Sequence, residues 1–486
     1  MLKEKIFVSI LLLVGLLAAM PIYAQTPAEP PSNFDEPDAG TERNPYLISN
    51  IANLRWLQAD IMLWNKGSYF LQTSDIDATE TKSWHNGRGF NPIGRYLIDD
   101  MYDHPFIGQY DGGNHIIRNL FFDGEKFHWD YSGYIAMFSS IERASIVNVN
   151  LENITIIVSD VYISSTGLIG GAWDSSIINC SVSGSISNAN IMESYPNSVS
   201  GLVGSAINTR IEGCYSTIEI ESIGKIGSSG GLILGMRNST LKNSFFYGKI
   251  NVTSDNQRIG GLVGGATNST IENSYVSSKS AFNEGMAGLV GTMENSTIRN
   301  SFFDVEATGV TSLFNEIVGE NNVMENNFGL PTSEMKQAST YTEYGWDFTR
   351  IWDIDEDINE GYPYLRNTPP PFVSDYDNPI KPLINSIVYP NPVRGEDVTI
   401  KWVAHHNNDR MYSVETNIGV MSDIIIIYNI RGQLVKRSRE FETRDGENVF
   451  VWDRKNEMGH EVASGVYFYQ VKVYNETYTG RMVLLK

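Results

Sequence analysis

Cysteine is almost missing from this chain: 486 residues hold only Cys180 and Cys214. A disulfide scaffold is therefore excluded, and a chain of this length must be held by a buried core. Histidine is scarce and scattered, at His85, His104, His115, His128, His405, His406 and His460. None forms H-E-x-x-H, because His460-Glu461 lacks a second histidine, so metalloprotease zinc chemistry has no ligand set. The G-x-S-x-G string at Gly227 to Gly231 lies among short β-prone runs and does not open a helix, so no nucleophile elbow is expected, and a phosphate-cradling glycine loop before a helix is absent. Positive charge is also short: 36 Lys and Arg stand against 57 Asp and Glu, a formal charge of −21. From Ile384 onward basic and acidic residues balance at 13 each, so the earlier part carries the excess. Such a surface repels nucleic acid and anionic headgroups, so neither is an expected partner, and a solvated acidic exterior accounts for it simply.

Beyond residue 24 no long apolar run occurs, so no transmembrane span is expected in the mature chain. The start is different. Lys3 and Lys5 precede an apolar stretch from Ile6 to Met20 and then Pro21-Ile22-Tyr23-Ala24, the pattern of a secretory signal peptide cut after Ala24. Losing Lys3, Glu4 and Lys5 takes the charge to −22. No cysteine lies near the cut, so a lipoprotein anchor is not expected.

What the chain has in quantity is repetition. Five copies begin Gly167-Leu168-Ile169-Gly170, Gly201-Leu202-Val203-Gly204, Gly231-Leu232-Ile233-Leu234, Gly261-Leu262-Val263-Gly264 and Gly288-Leu289-Val290-Gly291. Ten residues after each first glycine stands an aliphatic: Ile177, Ile211, Leu241, Ile271, Ile298. Thirteen after it comes Cys180, Cys214, Ser244, Ser274 or Ser301, and then Ser181, Tyr215, Phe245, Tyr275 or Phe302. Starts lie 34, 30, 30 and 27 residues apart, a fixed frame joined by elastic loops. The units hold short alternating β-prone runs and no helical periodicity, which predicts a parallel β-solenoid rising about 4.8 Å per coil. The aliphatic columns fill its interior, and the glycines permit tight corners or positive φ. Cys180 and Cys214 share one column in adjacent units, within disulfide range. Small residues elsewhere in that column favour two stacked inward side chains, with a disulfide left as the alternative.

Weaker copies extend towards the N-terminus. Ala136-Met137-Phe138-Ser139 leads to Ile146 and Asn148, and Phe106 to Gly113 leads to Ile116 and Leu120. A helix from Asn50 to Asn65, with Leu54, Leu57, Ile61 and Trp64 on one face and Ser49 or Asn50 as cap, is expected to cover that end.

These residues resemble the GLUG motif of bacterial cell-surface proteins. Gly40-Thr41-Glu42-Arg43-Asn44-Pro45-Tyr46-Leu47-Ile48 is similar to the lead-in of such arrays. Glu334-Met335-Lys336-Gln337, Trp346-Asp347-Phe348 and Gly361-Tyr362-Pro363-Tyr364-Leu365 are similar to their ending. The resemblance implies a surface location and no single activity, since the motif accompanies unrelated domains, including some bacterial immunoglobulin A peptidases.

A Pro-rich passage from Thr368 to Pro382 leads into about a hundred residues of short strands and turns that read as a small β-sandwich. Tyr389-Pro390-Asn391-Pro392, Tyr428-Asn429-Ile430-Arg431-Gly432-Gln433, Val451-Trp452-Asp453, Ala463 to Tyr469 and Met482-Val483-Leu484-Leu485-Lys486 resemble the type A C-terminal sorting domain of the type IX secretion system, an immunoglobulin-like module. One departure is Arg454, where that family often places glycine. The resemblance implies a partner, the type IX secretion machinery bound through residues 384–486, and export across both membranes of a Gram-negative cell, with removal of the tail as one outcome.

Two constellations are candidates for chemistry. Asp99, Asp100, Asp103 and Asp111 could supply the carboxylate pair of a polysaccharide-active β-helix lyase or glycosidase. Asp353, Asp355, Asp357 and Asn359 alternate as calcium ligands do, yet Ile358 stands where the turn glycine belongs and Tyr364 where a bidentate Glu belongs. Calcium is thus a weak cofactor candidate, and no catalytic residue is assigned. The expected fold is all-β: a parallel β-solenoid with a capping helix, then a small C-terminal β-sandwich. The expected division is a signal peptide at 1–24, a flexible segment at 25–39, the solenoid at 40–366, a Pro-rich linker at 367–383 and the sorting domain at 384–486. The expected role is noncatalytic adhesion or ligand display outside the cell, through a broad exposed strip of Asn, Ser, Thr and aromatic residues towards extracellular carbohydrate or a surface protein.

Overall fold

An Asn-Ser step turns the chain at both corners of the coils at 238–244, 268–274 and 295–301. In the computed structural model of the protein, Asn268-Ser269-Thr270-Ile271-Glu272-Asn273-Ser274 is a three-residue strand held between two such steps. Asn148, Asn179, Asn243, Asn273, Asn300 and Asn326 occupy one corner column; Asn208, Asn238, Asn268 and Asn295 occupy the other. All have φ between 46° and 54°. That left-handed region costs most side chains free energy, and asparagine tolerates it because its short amide bonds locally. The following serine closes the corner and ties two coils. Ser269 Oγ donates to Thr267 O at 2.8 Å and accepts from Ser239 N at 3.2 Å; Ser274 Oγ donates to Glu272 O at 2.9 Å and accepts from Ser244 N at 3.3 Å.

The cysteines stand in for serine in this device. Cys214 Sγ donates to Glu212 O at 3.3 Å and accepts from Cys180 N at 3.4 Å. Both thiols are free and buried, and burial, with Cys214 beside it, pushes the Cys180 thiol well above its ordinary range. These are the stacked inward side chains that the column favoured, with a structural duty that thiol and hydroxyl share.

The structure describes residues 25–94, 104–124, 134–159, 164–189, 197–253, 258–279 and 285–371. Beyond them it describes 384–389, 393–394, 397–404, 424–429, 433–438, 442–444, 447–473 and 476–485. The signal-peptide residues, Asp99, Asp100, Asp103 and most of the Pro-rich linker lie outside them. Two compact units divide near residue 374.

In the first unit three parallel sheets wrap one core. The first has ten strands, from Tyr46–Ile48 to Val323–Glu325. The second has seven, from Phe138–Glu142 to Phe314–Val318. The third has fifteen, among them Asn150–Ser159, Ser181–Ala189 and Phe245–Thr253. The columns read from sequence pair rung by rung: Ile146, Ile177, Ile211, Leu241, Ile271 and Ile298 are consecutive partners, each 2% exposed or less. Leu168, Leu202, Leu232, Leu262 and Leu289 fill a second buried column.

Three local expectations need correction. The repeat glycines are not the positive-φ corners; Gly167, Gly201 and Gly231 are needed for space, since a Cβ on Gly201 would lie 2.2 Å from Gly231 O. The N-terminal helix breaks at Asp60, which is extended at φ −105° and ψ 93°. It therefore runs as Ile51–Ala59 and Ile61–Trp64, each capped by its own side chain: Asn50 accepts from Asn53 N and Asp60 from Met62 N. The break swings Leu63 into the core and leaves Ile61 only half-buried. In the coil before Ile146, Tyr110 rather than Ile116 takes the aliphatic column, because Ile116 already pairs with Asn150.

The second unit is a sandwich of two sheets. One contains Ile384–Tyr389, Val398–Ala404, Glu442–Arg444 and Glu447–Trp452, all antiparallel. The other contains Val393–Arg394, Ile424–Asn429, Leu434–Ser438, Gly465–Val473 and Glu476–Leu485. Val398, Ile400, Ile427, Trp452, Val471 and Met482 form its core. Arg454 has φ 58°, the conformation glycine adopts freely, which explains the glycine expected there.

Asn268→Ala should therefore lower stability by about 1–2 kcal/mol, while Asn268→Gly should stay within about 0.5 kcal/mol of the parent. Urea unfolding of the two variants tests this; equal losses would contradict the corner mechanism.

Candidate functional site

The outward positions of the three-residue strands form the first exposed face. Glu212, Lys242, Glu272, Arg299 and Glu325 follow one another on successive rungs, alternating in sign. Lys242 Nζ lies 2.7 Å and Arg299 Nε 3.2 Å from the Glu272 carboxylate. Exposed pairs of this kind contribute little each. Their alternation still matters, because a slip by one rung would set like charges face to face. Beside them runs a hydroxyl column containing Ser145, Ser176, Thr240, Thr270 and Thr297, with Ser176 Oγ 3.1 Å from Ser145 Oγ.

The corner asparagines add two amide ladders. In one, Asn148 donates to Asp111 at 2.9 Å, Asn179 to Asn148 at 3.4 Å, and Asn326 to Asn300 at 3.1 Å. In the other, Asn238 donates to Asn208 at 3.2 Å and Asn208 to Asp174 at 3.0 Å. Gly213 interrupts the first ladder; a Cβ there would lie 2.5 Å from Asn179 Oδ1. Next to that gap is a cleft of about 150 Å³ lined by Asn179, Arg210, Glu212, Asn243, Ile351, Leu365 and Asn367. Arg210 and Glu212, at the two ends of one strand in its lining, form an ion pair.

The aromatic column does not join this exposed strip, contrary to expectation. Tyr215, Phe245 and Tyr275 stack at 4.9 Å between ring centroids, tilted by 9° or less, and all are buried. Residues 332–365 fold back over them and bring Met335, Tyr341, Trp346, Trp352, Tyr362 and Leu365 into one sealed cluster. Three hydrogen bonds cross it: Tyr275 Oη donates to Pro363 O at 2.6 Å, Tyr362 Oη to Asp304 Oδ2 at 2.7 Å, and Asn359 Nδ2 to Tyr275 Oη at 2.8 Å, while Trp352 Nε1 and Asn359 Oδ1 are buried without a partner. Burial raises Tyr275 and Tyr341 well above the ordinary tyrosine pKa. The clustering of Tyr341, Trp346, Trp352 and Tyr362 after the last repeat is the signal in the sequence that could have predicted this cover.

The weak calcium candidates are engaged separately. Asp353 Oδ2 pairs with Arg366 at 2.8 Å, Asp355 Oδ1 accepts from Asp357 N at 2.9 Å, and Asn359 is buried within the covering segment. Among the described residues no three His, Cys, Asp or Glu side chains gather as metal ligands. Of the acidic quartet only Asp111 is described, and its Oδ1 accepts from Gly113 N and Asn148 Nδ2. No helix among the described residues is long and apolar enough to cross a membrane.

Comparison with known families meets this geometry at both units. Residues 167–187 and 255–280 match the GLUG motif, and residues 387–485 match the secretion system C-terminal sorting domain. This chain carries GLUG motifs and a sorting tail. The coils outside the matched residues follow the same register by strand pairing. The sorting domain indicates type IX export to the cell surface or beyond it, and implies an interaction with that machinery. Halomucin of Haloquadratum walsbyi is 30% identical over 168 residues, 34% of this chain and 2% of that protein, so the chain spans a small fraction of this relative. A solved IgA1 protease shares 15% identity over 58% of this chain and 21% of its own, with a TM-score of 0.33. PorZ, described as an essential bacterial surface component of the type-IX secretion system of Porphyromonas gingivalis, shares 22% identity over 21% of this chain and 12% of its own, with a TM-score of 0.14. Neither structural likeness is close enough to carry an argument.

Phe245→Ala should cost about 3–5 kcal/mol in urea unfolding, because the ring is wholly buried between two others. The raised tyrosines also set an alkaline limit. Their folded pKa values lie above the ordinary 10.0, so the stability they contribute is complete below pH 10 and is lost as pH rises towards the folded values. The melting temperature should begin to fall above about pH 10, with buried tyrosinate absorbance appearing only on unfolding; ionisation of these tyrosines in the folded chain would show that the cover is not sealed.

Proposed function

We propose that this GLUG-motif chain is a noncatalytic surface or secreted protein whose polar, laddered faces attach to extracellular carbohydrate or to a surface protein. The supporting observation is the outer surface of the coils: parallel rows of hydroxyls, amides and paired charges, repeated at every rung and without a focused acidic cleft among the described residues. Contacts with such rows are individually weak and gain strength by recurrence along an extended ligand. Because the ring column is sealed under residues 332–365, recognition falls to amides, hydroxyls and ion pairs, and stacking on the sugar face is not the expected mode. A signal peptide at residues 1–24, passage through the periplasm of a Gram-negative cell and recognition of residues 384–486 by the type IX machinery complete the proposed route.

The rival is a polysaccharide-active enzyme built on the same solenoid, with Asp111 among its carboxylates. Asp111 is already committed to a corner, accepting from a backbone N–H and from the Asn148 amide, which favours a structural duty. A glycan array probed with the full chain, run beside a reducing-sugar assay on the same polysaccharides, separates the two. The binding reading expects retention on extended glycans or on a protein ligand without release of reducing ends. Turnover of any polysaccharide would overturn it.

A further inference from the structure

The two ends of the solenoid are finished differently. At the N-terminal end Leu54, Leu57, Leu63 and Trp64 lie over the first coils, each 2% exposed or less. At the other end the last coil consists of Phe314–Val318, Val323–Glu325 and Phe328–Leu330. Each of these strands pairs with the coil before it, and no strand among the described residues pairs on the far side. The interior columns nevertheless continue into it. Ile317 follows Met293 and Met324 follows Ile298, yet they are 46% and 47% exposed where their predecessors are 1% or less. Val318, Val323 and Phe328 are open as well. An apolar end with unsatisfied edge strands is the surface on which further β-structure adds.

Charge decides what can add. From Asn300 to Met335 the chain has six carboxylates, Asp304, Glu306, Glu316, Glu320, Glu325 and Glu334, and no Lys or Arg. Glu316, Glu320 and Glu325 are exposed on the end coil itself. A second copy meeting it end to end would bring the same carboxylates. A second copy meeting it head to tail would bring residues 25–68, with six acidic and three basic side chains. Both arrangements oppose like charge, which is costly across an interface.

We infer that the open edge of the last coil is a docking site for an extended segment of another protein in which apolar residues alternate with Lys or Arg. Apolar side chains of the segment cover Ile317 and Met324, its backbone extends the sheet that ends at Phe314–Val318, and its basic residues meet Glu316, Glu320 and Glu325. Of the docking residues only Glu325 also belongs to the laddered rows.

The test uses the full chain and a fluorescein-labelled heptapeptide of alternating Lys and Val, with a Glu/Val counterpart, followed by fluorescence anisotropy. The Lys peptide should bind at least about ten-fold more tightly than the Glu peptide and weaken with added salt. Glu316→Lys/Glu320→Lys should abolish or invert that preference, whereas Asp38→Lys/Glu42→Lys, at the other end, should leave it in place. On the unaltered protein, the Lys peptide should slow amide exchange at residues 314–325. Equal effects of the two double variants would reduce the attraction to diffuse charge and overturn the proposal. So would the absence of binding, or a dimer in sedimentation that Met324→Asp dissociates. Amides of 314–325 already protected in the free chain would overturn it too, by showing that a segment of the chain itself occupies the edge.

Discussion

Every coil depends on one constraint: a backbone corner in the left-handed region must be closed and, in the same stroke, tied to its neighbour. Asparagine supplies the conformation, and the next residue supplies a small side chain that donates within its own coil and accepts from the coil before it. Because the tie runs between coils, a corner is satisfied only when the next winding lies in register. Local turn chemistry and long-range stacking are therefore one interaction, which is why a single unit has no reason to fold alone.

From that constraint follow the surfaces. The three-residue strands between corners leave one side chain inward and two outward, so the interior becomes aliphatic columns and the exterior becomes rows. Opposite charges on successive rungs discourage slippage. The aromatic row is the exception, hidden by a segment that continues past the last coil. Two surfaces are left to act: polar rows along the coils, and an apolar, acid-rimmed edge at their end. The sorting domain places both at the cell surface or beyond it.

Much of the fold was legible because solenoid columns are written directly into spacing. Ile177, Ile211, Leu241, Ile271 and Ile298 sit ten residues after a glycine and pair one above another. The division of labour among turn residues is not legible in sequence: both glycine and asparagine suit tight corners, and only in the folded chain does Gly201 answer a 2.2 Å approach while asparagine answers φ. Asp60 reads as an ordinary helical surface position until it is seen to cap a second helical turn. The aromatic column is legible in the spacing but its burial is not, since nothing within a repeat reveals that residues from beyond the repeats cover it. The end-coil edge was not visible at all, because the columns simply continue through Ile317 and Met324.

The most direct measurement of stacking in register is the excision of one complete coil. Removing residues 167–200 joins Thr166 to Gly201, whose neighbours Thr166 and Ser200 are already rung partners, so every later column realigns. The account predicts a β-rich protein that still unfolds in one cooperative urea transition, slightly less stable than the parent, while excision of residues 167–183, about half a coil, unfolds it. Equal collapse of the two deletions, or equal tolerance of both, would contradict the claim that the coils are held by alignment with their neighbours.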